Sequence, residues 1–163
     1  LYQSMLAAVT VQPGAALDEE SRKTAEHLAG QLKSDFEDQT YAQYASLWLA
    51  KNAVEQANLD AAKVELEWVL SKKPVAGLSE VTELRLARVL LAQGNAEQAL
   101  SLLESAPAKG FEASFFEVKG DVLTALGRAD AAREAYAKGI ASPQGSQRPI
   151  LSMKLDDLAV EGN

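Results

Sequence analysis

Asn95-Ala96-Glu97-Gln98-Ala99 is the middle copy of a pattern that also occurs as Asn58-Leu59-Asp60-Ala61-Ala62 and Arg128-Ala129-Asp130-Ala131-Ala132. The closing alanines of successive copies are 37 and 33 residues apart. These spacings bracket the period of about 34 residues that is typical of the tetratricopeptide repeat, in which two antiparallel helices are joined by a tight turn. The chain is therefore predicted to be all-α, a tetratricopeptide-repeat-like α-solenoid of antiparallel helix pairs.

Small residues stand where such helix pairs need them. Gly94 and Gly127 precede two copies of the pattern, where a left-handed backbone is expected and glycine carries no Cβ penalty. In the first copy Ala57 and Asn58 take these places, and Asn tolerates the left-handed conformation. The small residues expected where the first helix of each pair approaches the second are Ala50, Ala87 and Gly120.

The pattern predicts a single domain with three parts. Residues 1–41 form a degenerate N-terminal helix pair, because terminal repeats often depart from the consensus. Residues 42–141 form three repeat units, and residues 142–163 hold a capping helix and a tail. Pro149 suits the first turn of this capping helix, and Ile150–Val160 carries an apolar stripe.

Two helices are predicted within the degenerate pair. They cover Leu1–Thr10 and Leu17–Phe36, and Pro13-Gly14 separates them. Asp18 or Ser21 could cap the second helix through a side-chain oxygen.

Composition excludes several classes of function. The net charge of −7 and the pI of about 4.8 argue against nucleic acid, because phosphate binding needs clustered cations. The adjacent pair Lys72-Lys73 lies at a predicted helix end, where cations meet the helix dipole favourably. With no cysteine, the chain offers no disulfide, thiolate nucleophile or thiolate metal ligand.

No residue pattern indicates catalysis. The one histidine, His27, has the sequence surroundings of a helix surface. Neighbouring carboxylates such as Asp18-Glu19-Glu20 and Asp156-Asp157 point in different directions on a helix, so solvated faces explain them. We therefore predict a protein that is not an enzyme and that needs neither metal nor cofactor.

Recognition is the function that a helical-repeat fold supports, because the first helices of the pairs line a concave surface. We expect this groove to bind a protein partner. The groove residues given by the repeat register are Tyr44, Leu47, Trp48, Lys51, Val81, Leu84, Arg85, Arg88, Leu91, Glu117 and Asp121.

Two alternatives remain open within the groove. Arg85 and Arg88 are one helical turn apart and could address a carboxylate-bearing or extended peptide. Equally, they could pair internally with Glu83, Glu117 or Asp121. Trp48 could be a recognition anchor or part of the core, whereas Trp68 on the outer helix is expected in the core.

Beyond the repeat pattern, residues 44–160 resemble the YfgM family of ancillary SecYEG translocon subunits. The resemblance lies in Ala45–Leu47, in Glu83–Val89 (Glu-Leu-Arg-Leu-Ala-Arg-Val), in Val118–Asp121 and in Met153–Leu158. The heptapeptide is the most diagnostic of these segments, because the tetratricopeptide pattern alone is shared by many scaffolds.

The resemblance implies a single-pass protein of the cell inner membrane with this domain in the periplasm. The transmembrane helix would lie upstream of Leu1. The implied partners are the SecYEG translocon and PpiD, a membrane-anchored periplasmic chaperone, in work on secreted or membrane proteins. No catalytic residue is implied.

Two other hypotheses belong to different classes. One is a cytosolic tetratricopeptide scaffold that self-associates through Leu1–Val11 and Ile150–Val160. The other is a hydrolase that uses His27.

Overall fold

A computed structural model describes residues 1–10, 17–106 and 108–160 of the chain. Within these residues the secondary structure is helical throughout, and the predicted all-α class of antiparallel helix pairs is confirmed. The helices are α1 (Tyr2–Val9), α2 (Glu19–Asp35), α3 (Thr40–Glu55), α4 (Leu59–Ser71), α5 (Leu78–Ala92), α6 (Ala96–Ser105), α7 (Glu112–Ala125), α8 (Ala129–Ala141) and α9 (Pro149–Val160), with a 3-10 turn at Gly145–Gln147.

The repeated pattern marks helix starts. Asn58, Asn95 and Arg128 each stand directly before the second helix of a pair, at α4, α6 and α8. Asp18 caps α2, since its carboxylate accepts a hydrogen bond of 2.8 Å from the backbone N–H of Ser21. Pro149 begins α9, as expected. The predicted break at Pro13-Gly14 and the tail after Val160 lie outside the described residues.

The chain divides into two compact units, Leu1–Pro74 and Val75–Asn163. Each unit is described separately below, and the prediction of a single domain stays a prediction. In the first unit, α1 packs on α2, α2 on α3 and α3 on α4. The core at the N-terminal end consists of Met5, Ala25, Ala29, Leu32 and Ala45, against which Tyr2, Ala8, Val9, Leu28, Trp48 and Leu49 pack.

In the second unit, α5 pairs with α6 and α7 with α8, while α6 and α5 also contact α7. The last helix, α9, packs on α8 through Leu151 and Leu158, both buried. Gly139 on α8 leaves room for Leu151, because a Cβ there would lie 3.2 Å from a methyl carbon of that side chain. The predicted capping helix therefore covers the end of the last helix pair.

The turns within the pairs correct one detail of the sequence analysis. Gly94 and Gly127 have φ of 79° and 70°, as expected. In the first copy the left-handed residue is Ala57, with φ of 57°. Asn58 instead has φ of −93° and acts as the N-cap of α4, because its side chain accepts a bond of 3.1 Å from the N–H of Ala61. Asn58 is therefore needed for its side chain, and Ala57 carries the steric cost of the turn.

The predicted small residues are all buried, but the third pair differs from the others. In the first two pairs a buried leucine on the second helix follows the small residue by sixteen positions: Leu66 follows Ala50, and Leu103 follows Ala87. In the third pair the same positions hold Gly120 and Tyr136. A Cβ on Gly120 would overlap the Tyr136 ring, so glycine is required there because the opposing side chain is larger.

Candidate functional site

The predicted groove residues of the first unit differ in accessibility. Tyr44 is 42% exposed and Lys51 is exposed, within 3.5 Å of the Glu55 carboxylate. Leu47 is only 7% exposed and belongs to the core. Trp48 is half-buried and packs against the N-terminal core. Of the alternatives for Trp48, packing is what the structure shows.

A charge-free aromatic surface surrounds Tyr44. Its ring centroid lies 6.3 Å from that of Tyr2, which is 5.1 Å from the ring of Tyr41. Neither α1 nor the part of α3 from Thr40 to Ala50 has a charged side chain, although 24% of the chain is charged. We call Leu1, Tyr2, Leu6, Tyr41 and Tyr44 the aromatic surface.

Clusters of exposed apolar side chains mark interaction sites more often than isolated ones do. Tyr41 is 53% exposed, and Leu1 and Leu6 are also exposed. Sequence analysis found Tyr44 but missed Tyr2 and Tyr41. The absence of charged residues from α1 and from Thr40–Ala50 is the sequence signal for this surface.

In the second unit, Arg85 and Arg88 lie on the exposed face of α5. Among the described residues, neither guanidinium forms an ion pair or hydrogen bond. On the same helix Leu84 is buried, whereas Val81 and Leu91 are half-buried. We call Arg85 and Arg88 the arginine pair.

The predicted acidic residues of α7 are occupied by cations from the segment around α9. Lys154 donates to Oε1 of Glu117 at 3.1 Å and to both oxygens of Asp121 at 2.7 and 2.8 Å. Nη2 of Arg148 lies 2.5 Å from Oε2 of Glu117, as an ion pair without the geometry of a hydrogen bond. Tyr136 also donates to Asp121 at 2.8 Å.

This cluster is partly buried and neutralised within the second unit. Glu117 is only 9% exposed. Burial raises the pKa of the Tyr136 phenol, and the hydrogen bond to the Asp121 carboxylate and its charge raise it further. Glu117 and Asp121 are therefore held as structural ion pairs.

The alternative in which the arginine pair bonds to internal carboxylates is not what the structure shows. Glu117 and Asp121 bind Lys154 and Arg148 instead. Among residues 1–10, 17–106 and 108–160, Glu83 accepts only a long bond of 3.4 Å from Ser79, and its buried Oε2 has no hydrogen-bond partner there.

Sequence analysis missed Lys154, although a signal existed. Asp121 follows Arg88 by 33 residues, and Lys154 follows Asp121 by the same interval. Extending the repeat register beyond the last recognised pair would have placed Lys154 on the face of the next helix.

Other polar features of the described residues include His27 and a polar cleft, both in the first unit. His27 is exposed on α2. A cleft of about 300 Å³ in the first unit is lined by Glu26 and Asn52, whose amide donates to that carboxylate at 2.6 Å. Over the described ranges, no group of three or more His, Asp or Glu side chains could hold a metal ion. Nor does any helix within those ranges have the length and apolar character needed to cross a membrane.

The family model described as tetratricopeptide repeat-like domain matches residues 1–160. The chain belongs to this family. No solved structure matches it.

Curated relatives confirm the resemblance to the ancillary SecYEG translocon subunits. The protein of that name from Escherichia coli (strain K12) is 31% identical over 144 residues, which are 86% of this chain and 66% of the relative. The one from Neisseria gonorrhoeae is 31% identical over 129 residues, 78% of this chain and 62% of the relative. The one from Haemophilus influenzae is 30% identical over 118 residues, 72% and 58% respectively. The chain thus spans less than two thirds of the length of these relatives.

Proposed function

We propose that this chain is a non-catalytic protein-protein interaction module of a protein that works with the Sec translocon. The aromatic surface carries this proposal, because exposed apolar side chains gather on α1 and on the part of α3 from Thr40 to Ala50, which have no charged side chains, and such clusters mark interaction sites. Family membership and relatives named translocon subunits support it.

The finer proposal concerns location and partners. The resemblance favours a single-pass protein of the inner membrane with this domain in the periplasm and a membrane helix upstream. A PpiD-like periplasmic chaperone and the SecYEG translocon are the proposed partners. Tyr44, Lys51, the arginine pair and the accessible part of half-buried Trp48 remain the proposed partner-binding residues.

Capture from membranes tests the proposal. Full-length protein with an affinity tag is recovered in mild detergent, and SecYEG and the chaperone are quantified in the eluate. Both should be enriched with the wild type and strongly reduced with Tyr41→Ala/Tyr44→Ala. The matched control is Val54→Ser/Val64→Ser, which changes exposed apolar residues of the same unit outside the aromatic surface and should preserve recovery.

Equal recovery with the tyrosine variant, at unchanged helical content, would exclude the aromatic surface as the binding site. Failure of the wild type to recover either partner would contradict the proposed function itself.

Labelling tests the proposed location. Because this chain contains no cysteine, exposed Ser101 can be changed to Cys in an otherwise cysteine-free full-length protein. A membrane-impermeant maleimide should label intact spheroplasts as strongly as lysed ones. Labelling only after lysis would place the domain in the cytosol.

A second candidate function is a cytosolic self-associating scaffold. It is favoured by exposed apolar side chains on α1 and α9 and at the residue before α1: Leu6, Ile150, Met153 and Leu1. Light scattering over a wide range of concentration separates the two, since self-association requires a mass that rises with concentration. A constant monomer mass rules out the scaffold.

A further inference from the structure

We propose that the arginine pair, Arg85 and Arg88, is a docking site for an extended acidic segment of a protein partner. This inference rests on the proposed function and adds the chemistry of the partner segment. It concerns the second unit alone.

The arginine pair differs from most cations of its unit because it has no partner in the part of the chain that the structure describes. Five cations of the second unit form ion pairs with carboxylates: Arg128, Arg133, Lys138, Arg148 and Lys154. Within the described residues Arg85, Arg88, Lys109 and Lys119 form none. Of these four, only the arginines are neighbours on one helix face.

Lys109 and Lys119 do not make a comparable site. Lys109 stands in the connection before α7, whereas Lys119 lies on α7. The positive charge of Lys119 already lowers the pKa of Glu134, as a minor contribution beside the bond from Lys138. Lysine is also a point charge without the planar fork that binds a carboxylate through two bonds.

The nearest acidic residues expected from the register are not available to the arginine pair. Lys154 bridges Glu117 and Asp121, and Arg148 adds a second cation to Glu117. This network neutralises α7 from the α9 side and leaves two exposed guanidinium groups uncompensated on α5. In a chain with a net charge of −7, these two positive charges attract anionic groups and orient an approaching partner.

The spacing of the arginine pair fits an extended peptide. Side chains three residues apart on a helix have Cβ atoms about 5–6 Å apart. Alternate residues of an extended chain are about 6.6 Å apart and point to the same side. Two carboxylates at alternate positions can therefore each meet one guanidinium group.

Apolar contacts flank the pair along α5. Val81 lies one turn before Arg85, and Leu91 one turn after Arg88, and both are half-buried. An extended segment that carries acidic residues in its centre and apolar residues outside them matches this order.

Fluorescence anisotropy with full-length protein in detergent tests the site directly. The probe is a labelled peptide with glutamate at every second position, and the reference probe has glutamine there. We expect wild type to bind the glutamate peptide at least about tenfold more tightly than the glutamine peptide, with an affinity that falls as salt is added.

Charge reversal distinguishes the site from the overall charge. Arg85→Glu/Arg88→Glu should weaken binding of the glutamate peptide at least about tenfold. Arg128→Glu/Lys138→Glu is the matched control, because it alters the net charge equally at exposed residues of the same unit and should change the affinity less than about twofold. Arg85→Lys/Arg88→Lys, which keeps the charge and the fold, should give intermediate binding because the bidentate contacts are lost.

Three outcomes of these binding assays would overturn the inference. The first is equal affinity of the wild type for both peptides, and the second is an equal loss of affinity in the two charge-reversal variants. The third is that the wild type binds vesicles containing anionic phosphatidylglycerol but not the glutamate peptide, and that the arginine variant no longer binds the vesicles. The membrane-capture experiment distinguishes failure of the docking site from failure of the proposed function. If wild type and the arginine variant recover SecYEG and the chaperone equally, the acidic docking site is wrong and the proposed function stands.

Discussion

The helix pairs α3–α4 and α7–α8 follow the same register but pack differently. At equivalent positions, the first pair has Ala50 and Leu66, whereas the second has Gly120 and Tyr136. The turn residue is Ala57 in the first and Gly127 in the second. Both pairs bury their small residues, so one helical plan tolerates exchanges of volume between facing helices as long as their sum is preserved.

Their ion pairs differ as well. In the first unit Glu65 accepts from Lys33 at 2.6 Å and from Ser46 at 2.5 Å. In the second unit Lys154 serves two carboxylates on α7. The first network joins α2 to the α3–α4 pair, whereas the second joins α9 to the α7–α8 pair. Each therefore fixes a helix that is less typical of the repeat.

The largest expected effect is at Gly120. Gly120→Ala should lower the free energy of unfolding by about 2 kcal/mol: overpacking costs about 1–3, and displaced Tyr136 loses its bond to Asp121, about 1. A gain of about 1 in helix propensity partly offsets these costs. Chemical denaturation of the domain measures the difference.

Tyr136→Leu provides the control, because it gives α7–α8 the leucine found in the other pairs. In Gly120→Ala/Tyr136→Leu the two losses should be less than additive by about 1 kcal/mol or more. Additive losses would mean that the exchange of volume does not explain the glycine.

The next largest effect is expected in the ion pairs. Lys154→Met keeps most of the aliphatic stem but leaves nearly buried Glu117 and half-buried Asp121 with one partner fewer each, at a cost of about 1.5 kcal/mol. Lys33→Met should cost about 1 kcal/mol, because Ser46 still donates to Glu65.

Lys138→Met is the matched control for both variants. Its partner Glu134 is exposed and lies four residues away on the same helix, so the loss should stay below about 0.5 kcal/mol. A loss as large as that of Lys154→Met would show that burial does not determine how much these ion pairs contribute to stability.

The turn residues should give opposite signs. Gly127→Ala places a Cβ in a left-handed backbone and should cost about 1 kcal/mol. Ala57→Gly relieves the same strain, but glycine loses more chain entropy on folding, which offsets part of the gain. The net effect should be a stabilisation of about 0.5 kcal/mol. Thermal unfolding of both variants beside the wild type measures the pair. Destabilisation by Ala57→Gly would indicate that the first turn is not strained.

Sequence alone predicted the helices well because their signals are local. The repeated pattern fixed the starts of α4, α6 and α8, and Pro149 fixed that of α9. The left-handed residue of the first turn does not follow from the pattern, because Ala57 and Asn58 both stand at the expected place. Only the backbone and the Asn58 cap separate their roles.

The candidate site was predicted only in part because periodicity gives the face of a helix but not what covers that face. Leu47 is buried, and Glu117 is covered by cations from residues far along the chain. Arg85 and Arg88 were placed on an exposed face, but their lack of an internal partner depends on where Lys154 lies. Such information is tertiary and does not appear in a local pattern.

The smallest expected effect concerns Glu83, which occupies in α5 the register position of Ser46 in α3. Ser46 donates a hydrogen bond to Glu65 in the first unit. In the second unit the register position of Glu65 is occupied by Leu102, which cannot form such a bond. Glu83 lies beside apolar Leu84, Leu103 and Phe115. Burial raises its pKa above the ordinary 4.5, opposed by the Ser79 bond and assisted by the charge of Glu80.

A carboxyl with a raised folded-state pKa binds its proton more tightly when folded, so its contribution to stability falls as pH rises from about 4.5 through the raised pKa. Glu83→Gln removes this loss. The variant should therefore gain stability relative to the wild type as pH increases through this window, and the difference should level off above it. Glu134→Gln is the control of opposite sign, because Lys138 lowers the pKa of that carboxyl and stabilises its charged form. Denaturation curves from about pH 2.5 to about pH 8 measure both differences, because the Glu134 difference changes below about pH 4.5 and the Glu83 difference above it. A Glu83→Gln difference that is independent of pH would show that Glu83 is as well solvated in the folded as in the unfolded chain.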